Sequence, residues 1–307
     1  MGPTASGKTG IAVELVKRLP LEIVSVDSAL VYREMDIGTA KPGPEVLAAA
    51  PHRLIDILDP TGAYSAARFR DDALREMHDI HDAGRVPLLV GGTMLYFRVL
   101  EQGLSELPAA DPELRGRIDA EARRYGWPAL HRRLGTVDPE AARRIHPNDP
   151  QRIQRALEVY ETSGVPMSAL LGRGPGAGLG FEPLRLALAP PERAQLHRCI
   201  IDRFHQMLDR GLVDEVERLR GRGDLSPELP SMRAVGYRQV WDYLEGNFGY
   251  EEMVEKAVVA TRHLAKRQLT WLRSMGGVRW LDPGDSKTPD KLLKALDAWL
   301  AGERPAG

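Results

Sequence analysis

Gly2-Pro3-Thr4-Ala5-Ser6-Gly7-Lys8-Thr9 is the stretch from which the fold can be read: two glycines enclose four residues, and lysine and threonine follow at once. This spacing builds a loop whose backbone N–H groups turn inward on a phosphate, while the positive end of the next helix, the Lys8 charge and the Thr9 hydroxyl converge on the same point. All eight residues are candidates for phosphate binding, and Thr9 is the candidate ligand of a Mg²⁺ ion. Ile11, Ala12, Leu15, Val16 and Leu19 recur at helical spacing and Pro20 ends the run, so the loop opens a helix packed on one face. A buried strand normally leads into such a loop. With only Met1 ahead of Gly2, that strand is expected to be cut short or lost.

Working outward, residues 21–26 form a β-rich run that delivers Asp27 and Ser28 at its C-terminal end, the edge where open α/β sheets bind ligands. Asp27 reads equally as a general base beside the loop or as a turn residue. Residues 30–60 are rich in proline and glycine, with a short strand expected around 54–57. A helix is expected over 65–83, with Phe69, Ala73, Met77 and Ile80 on its buried face. Val86 to Val90 is an apolar run of strand length, followed by Gly91-Gly92-Thr93 and another helix. Thr93 either contacts a ligand or caps that helix. Signalling nucleotidases usually place an acid at such a strand end to hold Mg²⁺; here there is glycine. The pattern predicts an α/β fold, a P-loop NTPase-like parallel sheet flanked by helices, with a mainly helical inserted domain.

The expected division is a core of residues 1–103 and 181–307 around an insertion of 104–180. With 307 residues, of which 43% are hydrophobic, the chain can bury a large core, so disorder is not the default. Its 42 basic and 43 acidic residues nearly cancel, so a polyanionic partner has to be met by local patches. The single Cys199 excludes an internal disulfide and fits a reducing compartment. No apolar run reaches membrane-span length and no signal peptide precedes the loop, so a cytoplasmic location without a membrane partner is expected.

Within the insertion, Asp-Pro pairs at 111, 138 and 149 punctuate short helices, and ten arginines face seven acidic residues over 111–155. The helix after Asp149 buries Ile153, Ala156, Leu157 and Tyr160 and leaves Gln151, Gln154 and Arg155 outside. These residues either read bases and phosphates or form an ordinary solvated face. Residues 172–180, with five glycines, read as a linker. The core resumes with a strand at 184–188 and a helix from near 191. On that helix Arg203 is a phosphate-clamp candidate but proves nothing alone. Arg233, Gly236, Tyr237 and Arg238 combine charge with a ring that either stacks on a base or belongs to the core. From Lys256 to Leu281 there is no acid, and Arg262, Lys266 and Arg273 fall along one edge of a helix, a pattern suited to a nucleic-acid backbone. A final helix over 289–301 carries a docking face of Leu292, Leu296, Trp299 and Leu300.

Taken together, Gly2 to Thr9, residues 25–32, 36–42, Gly91-Gly92-Thr93, 146–155, 203–207, 235–239 and 266–273 closely resemble the bacterial tRNA dimethylallyltransferases over nearly the whole chain. The resemblance implies transfer of a dimethylallyl group from dimethylallyl diphosphate to N6 of adenosine 37, in the anticodon loop of tRNAs reading codons that begin with U, with release of diphosphate. It implies Asp27 as the base, Thr93 at the target base, and Lys8, Arg203 and Thr9 with Mg²⁺ on the diphosphate. The tRNA anticodon stem-loop is then met by Asp27, Ser28, Ala29, Leu30, Thr93, Arg115, Gln151, Arg152, Ile153, Gln154, Arg155, Arg233, Gly236, Tyr237, Arg238, Lys266, Arg267, Gln268 and Arg273, by a monomer. The rival is an ATP-dependent small-molecule or nucleotide kinase, which explains the loop but not the acid-free helix.

Overall fold

Leu21–Val26 (β1) is buried along its whole length because parallel partners flank both of its edges. On one side β3 (Val86–Gly91) runs in register from Leu21 against Val86 to Val26 against Gly91. On the other, β2 (His52–Arg53) meets Ile23 and Val24. The structure, a computed structural model, describes residues 1–172 and 178–302.

The strand expected at 54–57 is absent. Leu54 and Asp56 have φ of 63° and 56°, left-handed values that no strand accommodates, and the short β2 ends just before them. A second parallel sheet joins β4 (Arg185–Leu188) to β5 (Val278–Leu281). Met1 extends it by one rung, its amino group donating to Leu186 O at 2.8 Å and its carbonyl accepting from Leu188 N at 2.9 Å. The expected parallel sheet is thus two, and no strand is assigned ahead of the phosphate loop.

Helix α1 (Lys8–Val16) packs on β1 and β3, and with α14 (Thr288–Leu300) closes a core of Leu15, Leu21, Leu188, Leu292 and Leu296. The short α2 (Pro44–Ala49) leads into β2. α3 (Ala66–Asp82) is capped by Ser65 and buries the four residues its periodicity predicts, with Phe69 stacked on Tyr96 of α4 (Met94–Gln102). α10 (Arg193–Asp209), α11 (Leu212–Gly221), α12 (Tyr237–Leu244) and α13 (Tyr250–Ser274) pack on one another in series, and α10 also meets α13. Apart from the end of α4, these elements belong to one compact unit, Met1–Arg98 with Phe181–Gly307.

The second unit, Val99–Gly180, is helical: α5 (Pro112–Tyr125), α6 (Trp127–Val137), α7 (Pro139–Arg144), α8 (Pro150–Ser163) and α9 (Met167–Gly172). Its first boundary falls inside α4, before the expected 103/104 cut. Asp111, Asp138 and Asp149 each accept a backbone N–H at the start of a helix whose first residue is proline, which explains the Asp-Pro punctuation. Its core joins Leu114, Ile118, Leu130, Leu134, Ile153 and Leu157. Residues 173–177 of the expected linker lie outside the described residues, while Gly178 sits so close to the Glu101 carbonyl that a Cβ would come to 2.1 Å. Among the described residues no helix is long and apolar enough to cross a membrane.

Candidate active site

Ala5 and Gly7 adopt left-handed backbone conformations (φ 61° and 72°), which curl the phosphate loop. Gly7 caps α1 without a side-chain hydrogen bond, and the first helical turn holds no acid. The helix start therefore presents free N–H donors and positive potential. Ala5, Ser6, Gly7, Lys8 and Thr9 line a cradle of about 250 Å³ together with Arg203 and Gln206 of α10 and Arg210, which caps that helix. It lies beside a larger cavity of about 550 Å³ that shares Ala5, Lys8, Thr9 and Arg203 and adds Asp27, Ser28, Gly92, Thr93, Arg233, Arg267 and Trp271. Sequence elements more than 200 residues apart thus converge on one pocket at the C-terminal ends of β1 and β3.

The electrostatics of the pocket call for an anion. Lys8, whose Nζ donates to Pro3 O at 3.2 Å, is pulled down from 10.5 to about 8 by burial, with Asp27 opposing and Arg203 adding to the shift. Burial also lowers Arg203, again opposed by Asp27. Among the described residues Arg203 donates only to the Thr39 carbonyl, at 3.5 Å. Two desolvated cations share one carboxylate, which suits the cradle to a further anion.

Asp27 lines the cavity and also closes a turn. Its Oδ1 accepts from Ala29 N at 2.9 Å and Leu30 N at 3.4 Å, closing a turn, while Oδ2 makes no hydrogen bond among the described residues. Ser28 N donates to Thr93 Oγ1 at 3.1 Å, and Thr93 N donates to Val26 O, so the ends of β1 and β3 are stitched together. Among the described residues the Thr93 hydroxyl's hydrogen bonds are to Ser28. Gly91 is obligatory, since a Cβ there would meet Val26 O at 1.9 Å.

The wall at 36–41 is held from behind by a residue that sequence reasoning missed. Buried Glu215 accepts from the backbone N–H groups of Asp36, Ile37 and Gly38 at 3.1, 2.8 and 3.2 Å, and from the Tyr237 hydroxyl. Tyr237 is fully buried against Gly38, so it belongs to the core and is not a stacking platform for a base. Gly236 is buried and lines the cavity, at φ 96°. Arg233, Arg238, Lys266, Arg267 and Arg273 are exposed, whereas Arg262 is partly buried, its Nε without a hydrogen-bond partner. Of the expected three-cation edge of α13, Lys266 and Arg273 are therefore exposed, and Arg262 is the one drawn inward. Gln268 is not free for RNA either: its amide joins Thr4 N and Gly92 O.

In the helical unit the expected contacts are largely redirected inward. Ile153 is core. Buried Glu158 takes both forks of Arg115 at 2.8 and 3.0 Å, Arg155 at 2.7 Å and the Asp111 N–H. Burial pushes the Glu158 carboxyl up, but Arg115 and Arg155 outweigh it and hold it below its ordinary value. Gln154 donates to Asp119 and Arg115 O. Gln151 and Arg152 remain exposed, Arg152 beside Asp149. The missed signal was Glu158 itself, one turn after Gln154 and Arg155 on the same face.

A family model described as IPP transferase matches residues 30–275. The tRNA dimethylallyltransferase of Thioalkalivibrio sulfidiphilus (strain HL-EbGR7) is 66% identical over 92% of this chain and 88% of its own length. The full-length tRNA isopentenylpyrophosphate transferase of Bacillus halodurans superposes with a TM-score of 0.69 at 39% identity, covering 98% of this chain and 94% of that one. A eukaryotic dimethylallyltransferase captured acting on tRNA superposes with a TM-score of 0.83 at 25% identity, covering 99% and 79%.

Proposed function

The chain belongs to the IPP transferase family, whose relatives above are tRNA-prenylating enzymes, and from that premise we propose a specific reaction: transfer of a dimethylallyl group from dimethylallyl diphosphate to N6 of adenosine 37 in tRNAs reading codons that begin with U. The observation that carries this reading is the pairing, in one cavity, of two half-buried, desolvated cations with a single carboxylate whose second oxygen makes no hydrogen bond among the described residues. The adenine must leave its stack to reach such a pocket. Its exocyclic amine is a weak nucleophile, so Asp27 Oδ2 takes the N6 proton as the N6–C1 bond forms. The C1–O bond breaks, and its electron pair leaves with the diphosphate, held by the loop N–H groups, Lys8 and Arg203. Thr93 orients the incoming base beside Asp27.

Among the described residues no three His, Cys, Asp or Glu side chains cluster closely enough to hold a metal. The donor set fits Mg²⁺ carried on the diphosphate, with the Thr9 hydroxyl as its protein ligand, the usual arrangement for an ion that keeps mostly phosphate and water around it. When bound it supplies further neutralisation of the leaving group. We place the enzyme in the cytoplasm as a monomer, with the tRNA anticodon stem-loop as its macromolecular partner.

The test is direct: with Mg²⁺, dimethylallyl diphosphate and unmodified tRNA, mass spectrometry finds the prenyl mass on adenosine 37. ATP turnover without prenylated product overturns the reading. Replacing exposed Lys266 and Arg267 by alanine weakens tRNA binding and reduces the slope of log K against log salt by about 1.4–1.8, the share of two phosphate contacts. An unchanged slope removes α13 from the RNA interface.

Lys8 also sets a pH limit. Its proton is lost near pH 8, so kcat/KM for the prenyl donor falls about tenfold per pH unit above that point. Lys8→Arg keeps the charge at every accessible pH, so its residual activity shows no such fall. An identical alkaline limb in both proteins assigns the limb to another group.

A further inference from the structure

Gln268 is partly buried on the cavity face of α13, between two exposed cations of the same helix, Arg267 and Arg273. Its Oε1 accepts the Thr4 N–H at 2.8 Å, and its Nε2 donates to the Gly92 carbonyl at 2.9 Å. Thr4 lies in the phosphate loop, and Gly92 immediately precedes Thr93. A primary amide offers an acceptor and a donor in one rigid plane, so it can take an N–H from one backbone and give one to another; neither a carboxylate nor an ammonium can do both. Gly92 is shaped to this contact, because a Cβ there would stand 2.5 Å from Gln268 Nε2 and 3.1 Å from Gly2 O. Beside the bridge, Ala265 and Leu272, one turn to either side of Gln268, and Leu269 next to it are buried, so the amide hangs from a fixed support.

We propose that Gln268 is a positioning residue that sets the spacing between the donor's phosphate loop and the Thr93 turn where the acceptor base docks. The proposal rests on the prenyl-transfer reading and assigns Gln268 to the alignment of the two substrates, not to RNA recognition. Alignment is costly to lose: a shift of about 1 Å between reacting groups can lower a rate by about 10²-fold. The Thr4 N–H is also committed to Gln268, which leaves the phosphate to the donors that follow it in the loop.

Gln268→Ala leaves Thr4 N and Gly92 O without their bridge. Gln268→Glu keeps the acceptor but sets a carboxylate oxygen against the Gly92 carbonyl. The expected result is a fall in single-turnover rate of about 10- to 100-fold for Gln268→Ala, a larger fall for the near-isosteric Gln268→Glu, and tRNA affinity within about twofold of wild type in both. Gly92→Ala displaces the same amide, so the Gly92→Ala/Gln268→Ala double variant loses little more than the worse single variant. Independently of chemistry, amide hydrogen exchange at Thr4 accelerates in Gln268→Ala. Loss of tRNA affinity with an unchanged single-turnover rate, or unchanged exchange at Thr4, overturns the clamp. Absence of prenyl product from the wild-type protein, with faster Thr4 exchange in the variant, overturns the reaction and leaves the clamp standing.

Discussion

Asp27→Ala lowers the single-turnover rate of prenyl transfer by about 10²–10⁴-fold, the range general-base removal typically spans, with tRNA affinity within about twofold of wild type. The size of the effect follows from the site. Among the described residues no second carboxylate lines the cavity, so nothing takes over the N6 proton. Asp27 also closes a turn through Ala29 and Leu30, and the alanine variant alone does not separate proton transfer from loop shape. Asp27→Asn does: its amide oxygen still accepts both N–H groups, while it cannot act as a base at neutral pH. The base assignment requires Asp27→Asn to be about as slow as Asp27→Ala. A near-normal rate for Asp27→Asn would falsify it and leave Asp27 as a turn residue.

Why the place of Asp27 was legible in the sequence, and the contacts of Gln268 and Glu215 were not, comes down to the range of the rules involved. The phosphate loop, the apolar runs at 21–26 and 86–90 and the helix at 66–82 are set by neighbours a few positions away, and their residues sit as their spacing demands. The polar residues at the ends of β1 and β3 follow automatically, because a parallel sheet directs its strand ends to one edge. Gln268 meets a loop at the other end of the chain, and Glu215 holds backbone 177 to 179 residues away. Nothing local announces either. The same blindness explains the misread arginines. Arg115 and Arg155 have the exposed helical spacing of an RNA-reading face, yet both close on Glu158, whose burial only the fold reveals. Tyr237 repeats the lesson, its hydroxyl committed to Glu215. Backbone geometry accounts for the lost strand after β2: Leu54 and Asp56 have side chains a strand tolerates but adopt left-handed φ values.

Lys8→Met moves activity and stability in opposite directions. Transfer falls by about 10²–10³-fold, the cost of removing one preorganised donor from a developing anion. In the absence of diphosphate the variant nevertheless melts about 2–4 °C higher than wild type. The reason lies in the direction of the Lys8 shift. Burial brings its folded-state value down from 10.5 to about 8, Arg203 adds to the repulsion, and Asp27 compensates only in part. Below pH 8 the folded protein therefore carries the full cost of a desolvated ammonium. Between about 8 and 10.5 the unfolded chain binds more protons than the folded one, so wild-type stability recovers as pH rises and the gap to Lys8→Met narrows. Diphosphate reverses the order at neutral pH, because it binds the native cradle and adds stability by mass action to the protein that retains its cation. Thermal melts of the two proteins at pH 7 and pH 10, with and without diphosphate, check all four corners. If wild type is the more stable protein at pH 7 without ligand, the buried ammonium is not a burden that the substrate relieves, and the account of the cradle as a site waiting for a diphosphate fails with it.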